Sequence, residues 1–188
     1  MNNFQRYSSI LALCFIFLMI AAVPAMAQST YPVQRKGFTI LINAGAGVQD
    51  EAGRMVLGPE LESSDVGLLV NLGIGDFLKH DLAVMLRFSA TRTKKAYLGN
   101  SHQASGVAGI TLQYWFKGQH YFEAGPGVGF VAREVGETHA GIGAIVGLGT
   151  SIYNRGRHNV HVGLEYAPAV ILGNAVHNFG LNVGYQLF

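Results

Sequence analysis

Three groups of residues in this 188-residue chain are of types that do chemistry: histidines at ligand-like spacing, carboxylates that can face an arginine, and short glycine runs. His158 and His161 form an H-x-x-H pair. On a helix such a pair can share a metal, but on a strand residues three apart point to opposite faces. No cysteine or carboxylate cluster accompanies them, so no metal site is expected. The runs GAG, GIG and GPGVG invite a phosphate-binding reading, which requires a loop that follows a strand and opens a helix. Each run sits inside an alternating segment instead, so no nucleotide or other cofactor is expected. Arg87, Glu123 and Glu165 are the charges to watch. They fall on one parity of their segments at comparable depth, and a charge taken out of water must be paired.

The segments that carry these residues alternate with a period of two, the signature of strands. Eight are expected, at 38–49, 65–77, 81–92, 104–117, 120–133, 138–153, 158–170 and 177–188. One face of each is apolar: Phe38, Ile40 and Ile42 in the first, Val66, Leu68 and Val70 in the second, Ala108, Ile110 and Leu112 in the fourth. The opposite faces carry Asn43, Asn71, Arg87, Gln113, Glu123, His161, Glu165 and Asn182 among many glycines. A soluble sheet would show Lys, Glu and Thr on its wet face. Small residues with a few opposite charges suit the cramped interior of a narrow barrel whose apolar face looks outward to lipid.

Composition and the two ends agree. Arg6, the apolar run Ile10–Ala22, Pro24 and Ala25-Met26-Ala27 read as a cleaved secretory signal peptide over 1–27, leaving 28–188 as one barrel domain. The single cysteine, Cys14, lies in that run behind bulky Leu13, so neither disulfide nor lipid anchor is expected. Without Arg6 the chain has twelve basic against eleven acidic residues, and no basic stripe points to nucleic acid. Glycine, at 25 of 188 residues, argues against helices, where each interior Gly costs roughly 1 kcal/mol relative to Ala. After Gln28 no apolar run reaches the length of about 18 residues that a spanning helix needs. A closed barrel is what remains for an apolar, exported, helix-poor chain.

The connections alternate: long first, third and fifth loops, short second, fourth and sixth turns, as in outer-membrane barrels with both termini on the periplasmic side. Phe38, Phe77, Tyr114, Phe116, Phe122, Tyr153 and Tyr185 gather towards the short-turn end, and Phe88, Phe130, Tyr166 and Phe179 towards the long-loop end. Two aromatic belts are what the two membrane interfaces select. The expected fold is therefore all-β, an eight-stranded antiparallel up-and-down transmembrane β-barrel.

The segments YFEAGPGVGF (121–130), GIGAIVGLGTSIY (141–153), VHVGLEYAPAV (160–170) and NFGLNVGYQLF (178–188) resemble small eight-stranded outer-membrane barrels of the opacity-protein, OmpX and OmpA-membrane-domain type. The resemblance spans Gly37 to Phe188. It implies residence in the outer membrane of a Gram-negative bacterium and, through a terminal phenylalanine, contact with the outer-membrane assembly machinery. Phe188 departs from that pattern, being out of phase with Tyr185 and Leu187. FEAGPGVGF also resembles lipid A deacylases, but EYAPAV stands where that family carries a His-x-Ser pair, and no serine accompanies His177.

A non-enzymatic, monomeric barrel with a structural or surface-interaction role follows: envelope integrity, adhesion, or contact with lipopolysaccharide through its extracellular loops. The alternatives are a lipid A-modifying enzyme and a narrow pore. Arg87, Glu123 and Glu165 are expected to form a lumenal network that plugs the barrel. The first loop is acidic, with Asp50, Glu51, Glu60, Glu62 and Asp65 against Arg54. The second is basic, and its Arg92, Lys94 and Lys95, with His102, are candidates for contact with lipopolysaccharide phosphates. Expected partners are outer-membrane lipids and lipopolysaccharide, and host or other extracellular surface molecules.

Overall fold

A strand with an apolar outer face satisfies its backbone in lipid only if both its edges are paired, which for a whole sheet means closure. The computed structural model describes residues 35–52, 64–95, 101–133, 136 and 138–188, and they form such a closed sheet. The strands are β1 (Gly37–Ala52), β2 (Ser64–Lys79), β3 (Leu82–Lys95), β4 (Ser101–Phe116), β5 (His120–Arg133), β6 (Thr138–Arg155), β7 (His158–Ile171) and β8 (Asn174–Leu187). Each pairs antiparallel with the next, and β8 returns to β1 in a register running from Ile40↔Leu187 to Ala52↔Ala175. The fold is an eight-stranded antiparallel up-and-down β-barrel of the outer-membrane type. The expected signal peptide (1–27), Cys14, and Arg54, Glu60 and Glu62 of the first loop lie outside the described residues, as do the side chains of Glu51, Asp65 and Lys95.

Burial is inverted relative to a water-soluble sheet. Ile110 is 60% exposed and Ile142 79%, whereas Arg87, Glu123, Gln113 and Asn71 are at most 2% exposed. The apolar rows face out and the polar rows face the lumen, as the two-residue period requires.

The strands run further than the alternating pattern alone suggests. Asp50 belongs to β1, Arg92 and Lys94 to β3, and His102 to β4, so these residues sit on strand ends rather than in loops. The ladder carries them because Thr91, Arg92, Thr93 and Lys94 keep the period of two, with the threonines buried and the cations exposed. Phe77 also departs from expectation. It is 7% exposed and points into the lumen instead of joining an aromatic belt, because it is the register partner of inward Ala83.

Two bulges and two prolines interrupt the ladder. The β2–β3 register steps from Phe77↔Ala83 to Lys79↔Leu82, and the β6–β7 register from Ser151↔His161 to Tyr153↔Val160. Each inserted residue moves the following side chains to the other face. Pro126 and Pro168 have no N–H to donate. The β4–β5 pairing is missing between Gly109↔Gly127 and Leu112↔Ala124, and the β6–β7 pairing between Gly143↔Ala169 and Val146↔Tyr166.

Candidate functional site

Since the exterior is apolar, the polar chemistry collects in the lumen, stacked above an apolar floor. At the short-turn end an apolar floor is built from Leu41, Phe77, Ala83, Met85, Trp115, Tyr121 and Phe188. The rings of Phe77 and Trp115 meet Phe188 edge-on at 5.5 and 5.8 Å, and Tyr121 tilts against Trp115 at 5.0 Å. Phe188, with the parity of inward Asn182 and Gln186, turns its ring into this floor. Arg35, just ahead of β1, closes it from below. Its guanidinium lies 4.0 Å from the centre of the Trp115 ring and donates to the Gly118 carbonyl at 2.8 Å. Burial pushes Arg35 down to about 10, which leaves it cationic at neutral pH and able to stack on the ring face.

Above the floor, a band of amides begins the polar filling. Trp115 Nε1 and Gln186 Nε2 both donate to Gln113 Oε1, at 3.0 and 2.9 Å. The charged layer follows. Arg87 on β3 spans two carboxylates, with Nη1 3.1 Å from Glu123 Oε2 and Nη2 2.8 Å from Glu165 Oε2. Thr111 donates to Glu123 Oε1 at 2.5 Å, Asn71 donates to Glu165 Oε2 at 2.9 Å, and Ser89 donates to Glu165 Oε1. Every carboxylate oxygen therefore has a donor. That is the condition under which a buried ion pair is tolerated. Beyond it, Thr93 bonds Gln49 and Ser105 bonds Asn178, beside an apolar cluster of Val107, Val131, Ile145, Ala167, Ala169, Ile171 and Val176.

His158, His161 and His177 occupy three different settings. His158 faces outward, its Nδ1 2.5 Å from the Tyr185 hydroxyl, whereas His161 is fully buried, its Nδ1 3.1 Å from Asn159 Oδ1. The H-x-x-H pair is thus split across the barrel wall. On the outer face His177 Nδ1 lies 2.8 Å from the Tyr166 hydroxyl, with the two rings stacked. Among the described residues no serine lies hydrogen-bonded to His177.

The structure brings Arg87, Glu123 and Glu165 into one contact group. It puts Arg92 and Lys94 on the exposed face of β3, opposite Ala104 and His102 of β4. Lys95 is placed only through its backbone, opposite Ser101. Asn71, read from sequence as an inward polar residue, completes the charged layer with Ser89 and Thr111; those two and the Arg35–Trp115–Phe188 stack were not singled out by sequence. Inward parity was available for Trp115, two residues after Gln113. Arg35 lies outside any periodic segment and gave no signal.

No protein-family model matches this chain, nor does any curated protein. Solved structures do. Neisserial surface protein A superposes with a TM-score of 0.58 at 18% identity, covering 80% of this chain and 96% of that one. Ail, the attachment invasion locus protein of Yersinia pestis, gives 0.50 at 16% identity, covering 81% and 99%. Both are small eight-stranded outer-membrane β-barrels, and that is the fold this chain shares with them.

Proposed function

We propose that the chain is a non-enzymatic integral outer-membrane barrel that works from its outer surface, contacting lipopolysaccharide or extracellular molecules at the long-loop rim. The observation that carries this reading is the filled lumen, where a three-residue ion-pair group lies between an aromatic floor and a second apolar cluster. Side chains that occupy the interior and bond one another leave the outside as the working surface, which favours this reading over a narrow pore. The two fold neighbours are named as a surface protein and an attachment protein, and the parallel is an analogy of fold.

Arg92 and Lys94 support the lipopolysaccharide reading. They project outward at the far end of β3, past Phe88, with Arg92 beside outward Leu68 of β2, where lipid phosphates can meet guanidinium and ammonium in charge-assisted bonds. Lys95 follows them in sequence. Replacing Lys94 and Lys95 by glutamate should cut the lipopolysaccharide that co-purifies with the folded barrel severalfold. Unchanged co-purification would overturn the assignment.

A further inference from the structure

The opposite rim carries a second cationic surface that the proposed function does not use. All three short turns and the residues leading into β1 contribute to it. Lys36 precedes β1, Lys79 ends β2, Lys117 opens the β4–β5 turn, and Arg155 and Arg157 flank Gly156 between β6 and β7. All five are exposed. Arg157 donates through Nε to the terminal oxygen of Phe188, whereas among the described residues Lys36, Lys79, Lys117 and Arg155 form no ion pair with a carboxylate. The side-chain carboxylates at this end are Asp76 and Asp81, and Asp81 faces His80 at 3.9 Å. In a chain whose charge is nearly balanced, this concentrates positive charge around one mouth of the barrel.

The two bulges place part of this charge. Because the register skips a residue after Phe77, Lys79 pairs with Leu82 and so falls on the outward row. After the skip at Ser151, Tyr153 pairs with Val160 and Arg155 with His158, again outward. Without the insertions the period of two would aim Lys79 and Arg155 at the lumen. Lys117 follows outward Phe116 directly. The cations therefore border the outward aromatics Phe38, Tyr114, Phe116, Phe122, Tyr153 and Tyr185, all partly exposed. Aromatic rings at this position mark headgroup depth, and the turns are too short to carry the cations far from it.

We propose that this rim binds the phosphates of anionic phospholipid headgroups in the inner leaflet of the membrane, with Lys79, Lys117 and Arg155 as the principal contacts. The proposal rests on the transmembrane reading of the barrel and adds the lipid class selected at its other end. Three features favour phospholipid over a glycan or protein partner: the charge encircles the mouth, it borders the aromatic belt, and Lys79 and Arg155 fall on the outward row rather than along the barrel axis.

The test uses the refolded full-length chain, whose closed state is checked by its heat-dependent electrophoretic shift. The barrel is offered equal phosphatidylglycerol and phosphatidylethanolamine in detergent, and retained lipid is read by native mass spectrometry. Phosphatidylglycerol should be retained preferentially, and the preference should fall with added salt. A Lys79→Gln, Lys117→Gln, Arg155→Gln variant should reduce it by at least about fivefold, the effect of one basic residue near a charged lipid surface. An Arg92→Gln, Lys94→Gln variant at the other rim should retain it. Equal retention of the two lipids, insensitivity to salt, or equal loss in both variants would overturn the proposal, as would binding to peptidoglycan sacculi without lipid preference. Absence of the heat shift in the unmodified chain would instead overturn the barrel reading itself, and this proposal with it.

Discussion

Arg87 faces two carboxylates, and this odd count makes it the most consequential single residue. Removing it leaves Glu123 and Glu165 buried without a counter-charge, whereas removing either acid leaves one full pair. Breaking a buried pair from one side costs about 3–5 kcal/mol, far more than the net worth of the intact pair. Arg87→Met should accordingly destabilise the folded barrel by about that amount in urea unfolding, and adding Glu123→Gln and Glu165→Gln should recover most of it. An Arg87→Met barrel as stable as the parent would mean the three charges do not interact. The three were legible in sequence because charge on an inward parity is rare and demands a partner. Ser89 and Thr111 were not, and Asn71 was legible only as an inward polar residue, since a neutral inward hydroxyl or amide looks like any other lumenal polar residue. Which of them meets Glu165 across the lumen is set by the stagger of non-adjacent strands, a property of closure that no local pattern encodes.

At the scale of the strands, alternation carried most of the information, and its failures have physical causes. A bulge inserts a residue without altering local composition, so the reversal of face after Phe77 and after Ser151 could not be read from the period alone. Phe77 lies before the bulge and shares the inward parity of Asn71 and Gly73, so its assignment to the aromatic belt went against the alternation. The strand ends were also hidden, because a ladder can continue into charged outward residues, as β3 does past Phe88 with Arg92 and Lys94. The outward rows make a prediction that separates lipid from water. Ile110, midway along β4 and 60% exposed, would accept arginine at little cost on a soluble surface. Facing the bilayer interior, Ile110→Arg should lose about 2–4 kcal/mol of folding free energy in vesicles. A value near zero would contradict a lipid-facing β4.

The whole molecule combines an apolar waist, a filled interior and two charged rims of different character. The filled interior depends on residues from both ends of the described chain, since Arg35 and Phe188 meet over Trp115 and β8 closes on β1. Fold class was legible because the inside-out burial, the alternation of long and short connections and the two belts are independent signals that agree. Function was less so, because partner choice resides in surface residues grafted on a fold that many proteins share. The central claim is that this chain is a closed barrel in the outer membrane, and it can be tested by fractionating cells and comparing the outer-membrane fraction with and without boiling in detergent. A folded species that migrates differently until boiled, found in that fraction, is the predicted result. One band insensitive to heating, or recovery of the protein in the soluble periplasm, would contradict the account.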